Sequence, residues 1–231
     1  MMMLKDILAQ VKVIGFDLDD TLWDNSQVIE AAIAEQFHCI LSYLPDANLV
    51  ELKQQYQQNV SLLLSDDSTR YEDVALLRSS ALKLLCQHYG LKQEVAEQAF
   101  RIFVKKRQEV QLFEGCIDLL ERLKSHYTLV AISNGNANLT TIGIRHYFQY
   151  HWCAGIDGRA KPHPDMLIKM CQKLAVSPMQ MLYIGDKVSM DYAAAKAASC
   201  YGVVISQQQI AEDILSFPSL NAFYLEVKSV I

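Results

Sequence analysis

The stretch from Val13 to Leu22 constrains this chain more than any other, because the apolar run Val13-Ile14-Gly15-Phe16 breaks directly into Asp17-Leu18-Asp19-Asp20-Thr21-Leu22. Such a run reads as a buried strand, and a buried strand that ends in carboxylates must set them where something offsets their charge. On a strand continued past Phe16, alternation would send Asp17, Asp19 and Thr21 to one side. Like charges held that close push one pKa up unless a cation or a proton relieves them. A divalent metal is the simplest relief. One carboxylate is then free to act as a nucleophile and the other as general acid and base. The same residues also suit an Asp-rich turn held by local hydrogen bonds.

Three later segments bear on that choice. Leu129-Val130-Ala131-Ile132-Ser133-Asn134-Gly135 is a second β-rich apolar run, stopping at Ser133. Lys161 stands just before Pro162 and Pro164, which preset the backbone for a helix start. Met181-Leu182-Tyr183-Ile184-Gly185-Asp186 is a third apolar run ending in an acid, with Asp191 five residues on. Taken singly, each has an ordinary reading: a turn at Ser133 to Asn136, a solvated surface lysine, a turn and helix cap at Asp186 and Asp191. Their spacing argues against four separate accidents. Ser133 to Lys161 is 28 residues and Lys161 to Asp186 is 25, each about one strand-plus-helix unit, which places every motif at the same end of successive parallel strands.

In this order and spacing the four motifs resemble those of the haloacid dehalogenase-like hydrolase superfamily. The resemblance implies an α/β fold: a Rossmann-like parallel sheet with a helical cap domain inserted after the first strand, the arrangement of the superfamily's subclass I. It implies a phosphatase, a Mg²⁺-dependent hydrolase of phosphomonoesters working through an aspartyl-phosphate intermediate. Asp17 would be the nucleophile and Asp19 the general acid and base. Mg²⁺ would be held by Asp17, by the backbone carbonyl of Asp19 and by Asp186, with Asp191 behind them or bound through water. Thr21, Ser133, Asn134 and Lys161 would bind the phosphate. The flavin mononucleotide phosphatase group of bacteria is similar in Asp17 to Asn25, in Val130 to Ala137 and in Gly158-Arg159-Ala160-Lys161-Pro162. Arg78 falls where that group has a cap arginine, making flavin mononucleotide or a sugar phosphate the expected substrate.

The texture of the chain agrees with a division into residues 1–24 and 110–231 as core and 25–109 as helical cap. Ile29, Ile33, Phe37, Ile40, Leu41 and Leu44 recur at helix spacing, as do Leu76, Leu77, Ala81, Leu84 and Leu85. Asn25 and Ser26 offer caps for the first of these helices, and residues 65–69 read as a loop. Beyond about residue 114 helix and strand alternate: a helix face at Cys116, Leu119, Leu120 and Leu123, helices over 163–174 and 189–198, and a last strand over 201–205. Arg70, Tyr71 and Arg78 are the cap's candidates to touch the substrate's leaving group, with Trp23 at the mouth.

Composition narrows the partners. A net charge of −5 over 231 residues offers no basic stripe for nucleic acid. No apolar run approaches the roughly 20 residues of a membrane span, and Met1 to Asp6 lacks a signal peptide's apolar stretch, so a cytoplasmic place is expected. Six cysteines without a Cys-x-x-Cys suggest neither a zinc knuckle nor a disulfide framework. The oligomeric state stays open. Three other readings share the motifs. A haloacid dehalogenase proper has no use for Asp19, since halide leaves without a proton; a phosphomutase must shield its intermediate from water; and a non-catalytic binding module has no need of a full set of reactive residues.

Overall fold

The computed structural model of the chain describes residues 3–231. After a short helix α1 (Leu4–Leu8), strand β1 (Val13–Phe16) leads into four helices, α2 (Ser26–Leu41), α3 (Leu49–Asp66), α4 (Val74–His88) and α5 (Gln93–Lys106). Then come α6 (Cys116–Lys124), β2 (Thr128–Ser133), α7 (Leu139–Ile142), β3 (Tyr150–Cys153), α8 (Asp165–Lys173) and β4 (Met181–Gly185). The chain closes with α9 (Ala193–Ala197), β5 (Tyr201–Ile205), β6 (Ser216–Phe217) and α10 (Leu220–Val230).

The six strands form one sheet in the order β3-β2-β1-β4-β5-β6, and every neighbouring pair is parallel. All four residues of β1 are buried, as expected for the centre of a sheet covered on both faces. On one face Ile14, Phe16, Leu129, Ala131 and Ile184 pack against α1, α6 and α10 through Ile7, Leu120 and Phe223. On the other, Val13, Val130, Ile132 and Tyr183 meet Met166, Met170 and Ala195 of α8 and α9. Parallel strands end on a common edge, so Asp17, Ser133 and Asp186, each at a strand end, come together there.

The inserted helices have a core of their own, in which Phe37, Ile40, Leu52, Leu82, Leu85 and Ala99 are all buried. Helix α5 lies along α2, and α4 packs on both α3 and α5. The chain leaves and re-enters the sheet domain through two adjacent linkers: Phe113 N–H donates to Leu22 O at 2.9 Å, and Trp23 pairs with Leu112.

Several local expectations are corrected. Asn25 makes no side-chain cap for α2; Asp24 does this work, accepting from the Ser26 amide at 2.9 Å and the Ser26 hydroxyl at 2.6 Å. The helix expected over 189–198 begins as a π-helical turn, Val188–Tyr192, before α9. That wider turn accompanies Asp191, whose Oδ2 accepts from the Lys187 amide at 3.0 Å. Strands β3 and β6 are only half-buried along their length, so neither carries the apolar run that announced the inner strands.

Candidate active site

Asp17 follows the last residue of β1, and its amide still donates to Ile184 O of β4 at 2.8 Å. Asp17 is buried, its side chain 11% exposed, with Lys161 Nζ 2.7 Å from Oδ1. The same ammonium donates to Asp191 Oδ1 at 2.6 Å and to the Tyr183 hydroxyl at 2.7 Å. Its three N–H groups are therefore all engaged within the protein. Tyr183 in turn donates to Ile132 O, one residue before Ser133. The loop that carries Lys161 is clamped by the Asn134 side chain, which accepts from Lys161 N and donates to Lys161 O, both at 2.8 Å. Ser133 is buried, its Oγ accepting from the Gly135 amide at 2.8 Å.

Carboxylate oxygens of Asp17, Asp186 and Asp191 lie within 4.8 Å of one another. Three carboxylates share one buried ammonium, that of Lys161, while the exposed Lys187 reaches only Asp186 of the three, at 3.6 Å, and burial shows in the protonation of Asp17 and Asp186. Burial, with Asp191 adding to it, pushes the Asp17 carboxyl up to about 7 despite the pull of Lys161. Burial and Asp191 likewise raise Asp186 to about 6. The Lys161 ammonium is lowered by burial, but Asp17, Tyr183 and Asp191 outweigh that and hold it well above its usual range, so it stays charged. The donor set is all oxygen, with no Cys or His, and it suits a hard divalent cation such as Mg²⁺ better than zinc. Asp191 has both oxygens taken by Lys161 and the Lys187 amide. Gly185 makes room for it, since a Cβ there would fall 2.2 Å from Asp191 Cγ. A cleft of about 1050 Å³ opens beside the cluster, lined by Asp20, Phe113, Asp186, Lys187 and Asn221 among others.

Asp19 points elsewhere. Because β1 stops at Phe16 and the chain turns at Asp20 with φ +62°, strand alternation does not carry to Asp19. Its Oδ2 is 2.6 Å from Arg107 Nη2, and its Oδ1 accepts from the Trp23 indole at 2.9 Å. Gly135 lies against this pair, and a Cβ there would stand 2.5 Å from Asp19 Oδ2. Thr21 is fully buried beneath the same turn, its hydroxyl without a partner among the described residues.

The structure thus gathers Asp17, Lys161, Asp186 and Asp191 with Ser133 and Asn134 around the ends of β1, β2 and β4. Trp23, expected at the mouth, is fully buried and holds Asp19. Arg78 lies within the cap, its Nη1 3.2 Å from Gln36 Oε1 and its guanidinium 3.6 Å from the centre of the Phe103 ring. Tyr71 is buried, and exposed Arg70 lies by its ring. Two residues escaped the sequence reading. Tyr183 looked like one more apolar strand residue, and Arg107 stood among the charges ending α5, with Lys105 and Lys106 beside it and nothing in the pattern to set it apart.

A family model for haloacid dehalogenase-like hydrolases matches residues 11–199, which takes in every motif just described. The chain belongs to this family. Among its relatives is the 5-amino-6-(5-phospho-D-ribitylamino)uracil phosphatase YigB of Escherichia coli K12, 30% identical over 192 residues that span 81% of this chain and 80% of the relative. The phosphoglycolate phosphatase of the same strain is 25% identical over 248 residues, covering 96% and 91% of the two chains. Among solved structures, a 2-haloacid dehalogenase from Pseudomonas syringae pv. tomato DC3000 superposes with a TM-score of 0.86 at 27% identity, over 96% of this chain and all of that one. The parallel sheet with its inserted helical cap is the haloacid dehalogenase-like fold. No helix among the described residues is long and apolar enough to cross a membrane.

Proposed function

We propose that this haloacid dehalogenase-like hydrolase is a Mg²⁺-dependent phosphomonoesterase that works through an aspartyl phosphate on Asp17. The coarser reading, a phosphatase for small phosphorylated metabolites, rests on the family and its phosphatase members. One observation supports the finer one: Asp17 stands at the end of the central strand within 4.8 Å of Asp186 and Asp191, three carboxylates that share a single buried ammonium, Lys161, with exposed Lys187 beside Asp186. Asp17 and Asp186, with the Asp19 backbone carbonyl, would hold Mg²⁺, and Asp191 would steady the set from behind. Bound there, the ion would offset the charge of the transferring phosphoryl group and polarise it.

The chain's own residues supply the rest. A carboxylate oxygen of Asp17 forms a bond to phosphorus as the bond to the leaving oxygen breaks, and Asp19 gives that oxygen a proton. A water then gives its proton to Asp19 and attacks phosphorus, releasing inorganic phosphate and restoring Asp17. Lys161, held by Tyr183 and the Asn134 clamp, fixes the nucleophile's orientation. Thr21, Ser133 and the backbone at Asn134 take phosphate oxygens, and the free Thr21 hydroxyl suits that task. Residues 25–109 form the cap, hinged at the paired linkers, with 1–24 and 110–231 as the core. The sequence resemblance nominates flavin mononucleotide or a sugar phosphate, and the E. coli relative adds a phosphoribityl ester. Flavin mononucleotide and the phosphoribityl ester are both primary alkyl phosphates.

The likeness to a 2-haloacid dehalogenase supports a second reading, dehalogenation at the same Asp17, against which Asp19 speaks because halide needs no proton. Purified protein decides between them. Turnover of p-nitrophenyl phosphate that stops with EDTA and returns with Mg²⁺ is expected, with no chloride released from 2-chloropropionate. Full turnover in EDTA would remove the metal, and chloride release without phosphate release would hand the site to dehalogenation.

A further inference from the structure

The seam between cap and core holds more hydrogen-bond donors than the protein itself satisfies. Arg107 is 2% exposed and Gln36 is fully buried. Arg107 spends Nη2 on Asp19, while its Nη1 is buried with no partner. The Gln36 amide gives its oxygen to Arg78 and leaves its own Nε2 buried and unpartnered. Arg78 has its guanidinium 3.6 Å from the centre of the Phe103 ring, Phe103 lying one helical turn before Arg107, and among the described residues no carboxylate pairs with Arg78. The three side chains come from α2, α4 and the end of α5. Orphaned buried donors are costly, on the order of 1–3 kcal/mol each, and two guanidinium charges against the single carboxylate of Asp19 leave the seam with an excess of positive charge. Burial lowers the Arg78 pKa, Tyr56 opposes that, and Arg107 adds a smaller lowering.

A site made only of donors and carrying surplus positive charge takes an acceptor that is itself an anion. We infer that, granted phosphomonoester hydrolysis at Asp17, the donors of Arg107, Arg78 and Gln36 form an anion site for the leaving group, selecting phosphate esters of short alcohols that carry a second acidic group. The leaving group is short because the two terminal nitrogens belong to one guanidinium. Nη2 holds the carboxylate that protonates the leaving oxygen, and an anion on Nη1 sits close beside it. A long neutral polyol, such as the ribityl chain of flavin mononucleotide or of the phosphoribityl ester nominated above, offers these donors hydroxyl groups but no charge, so the inference ranks those esters below a short acidic one.

Two esters of equal length test this. 3-Phosphoglycerate and glycerol 3-phosphate differ by a carboxylate in place of a hydroxymethyl group, with p-nitrophenyl phosphate as the control for activity. With Mg²⁺ present, kcat/KM for the acid should exceed that for the alcohol by about tenfold or more, the worth of one charge-assisted hydrogen bond. Arg78→Met, which keeps the packing on Phe103, should bring the ratio to about one, and Arg78→Lys should restore part of it. Gln36→Leu, checked like the others by far-UV circular dichroism, gives an independent reduction if Arg78→Met fails to fold. A wild-type ratio of one or less overturns the inference and favours a neutral polyol. So does a ratio unmoved in a folded Arg78→Met. Turnover of p-nitrophenyl phosphate alone, with neither alkyl ester hydrolysed, also overturns it while leaving the phosphatase intact; no turnover of any ester brings down both.

Discussion

The two carboxylates that open the chain's first motif have opposite surroundings. Asp17 sits on the sheet's edge among groups that satisfy one another: Lys161 has every N–H engaged, Tyr183 relays to Ile132, and Asn134 clamps the lysine's backbone. Asp19, two residues on, faces the cap, where Arg107, Gln36 and Gln108 each keep a buried nitrogen without a partner. The first cluster has its hydrogen bonds met, its carboxylates sharing buried Lys161 and, at Asp186, the exposed Lys187; the second is short of acceptors. Under the proposed function, the reacting groups are built on strand ends, whereas the leaving group is met by helices across a seam.

If that contrast is right, substitutions on the two sides differ in kind. Replacing Asp17 by Asn, which removes the attacking oxygen but keeps the side chain's size, should lower turnover more than a hundredfold for every ester. A folded variant that kept more than about a hundredth of the rate would withdraw Asp17 as nucleophile. Lys161→Met should act on stability as well, leaving Asp17 and Asp191 buried against each other without their cation. A loss of about 3–5 kcal/mol is expected in urea melts of metal-free protein at neutral pH, and a loss below about 1 kcal/mol would mean that the ammonium contributes little.

On the seam side the effect should depend on the leaving group. In Asp19→Asn, formation of the phosphoenzyme should slow far more for an alkyl phosphate than for p-nitrophenyl phosphate, whose phenolate leaves without a proton. Its breakdown should slow for both. Rapid-quench sampling separates the steps, and equal slowing of formation would reduce Asp19 to a positioning role.

The smallest effect is one of pH. In metal-free protein, burial raises the folded Asp17 and Asp186 carboxyls to about 7 and about 6, above their unfolded values. Each contributes stability that is full below the ordinary carboxylate range and is lost progressively as pH rises from about 4 through the folded values of 6 to 7. The melting temperature of the metal-free protein should therefore decline across that window, and Mg²⁺ should flatten the decline. A metal-free melting temperature that rose from pH 4 to 7, with Asp17→Asn/Asp186→Asn behaving identically, would contradict the burial of uncompensated charge.

The alternation of strand and helix after residue 114 was legible because inner strands such as Leu129 to Ile132 and Met181 to Ile184 are buried on both faces and must be apolar throughout. Chain order and spacing likewise brought Asp17, Ser133, Lys161 and Asp186 to one edge, since parallel strands joined by crossovers end on the same side. The half-buried strands β3 and β6 left no such mark. Nor did local sequence reveal that the Asp19 carboxylate turns from Asp17's cluster to Arg107, 88 residues away, or that Tyr183 caps the lysine. The sequence by itself determined which reactive groups lie at strand ends, because periodicity and connection length are local properties of the chain. Only the tertiary structure decided which of them hold one another and which donors are left open, because hydrogen bonding in a buried seam depends on where helices far apart in the chain come to rest.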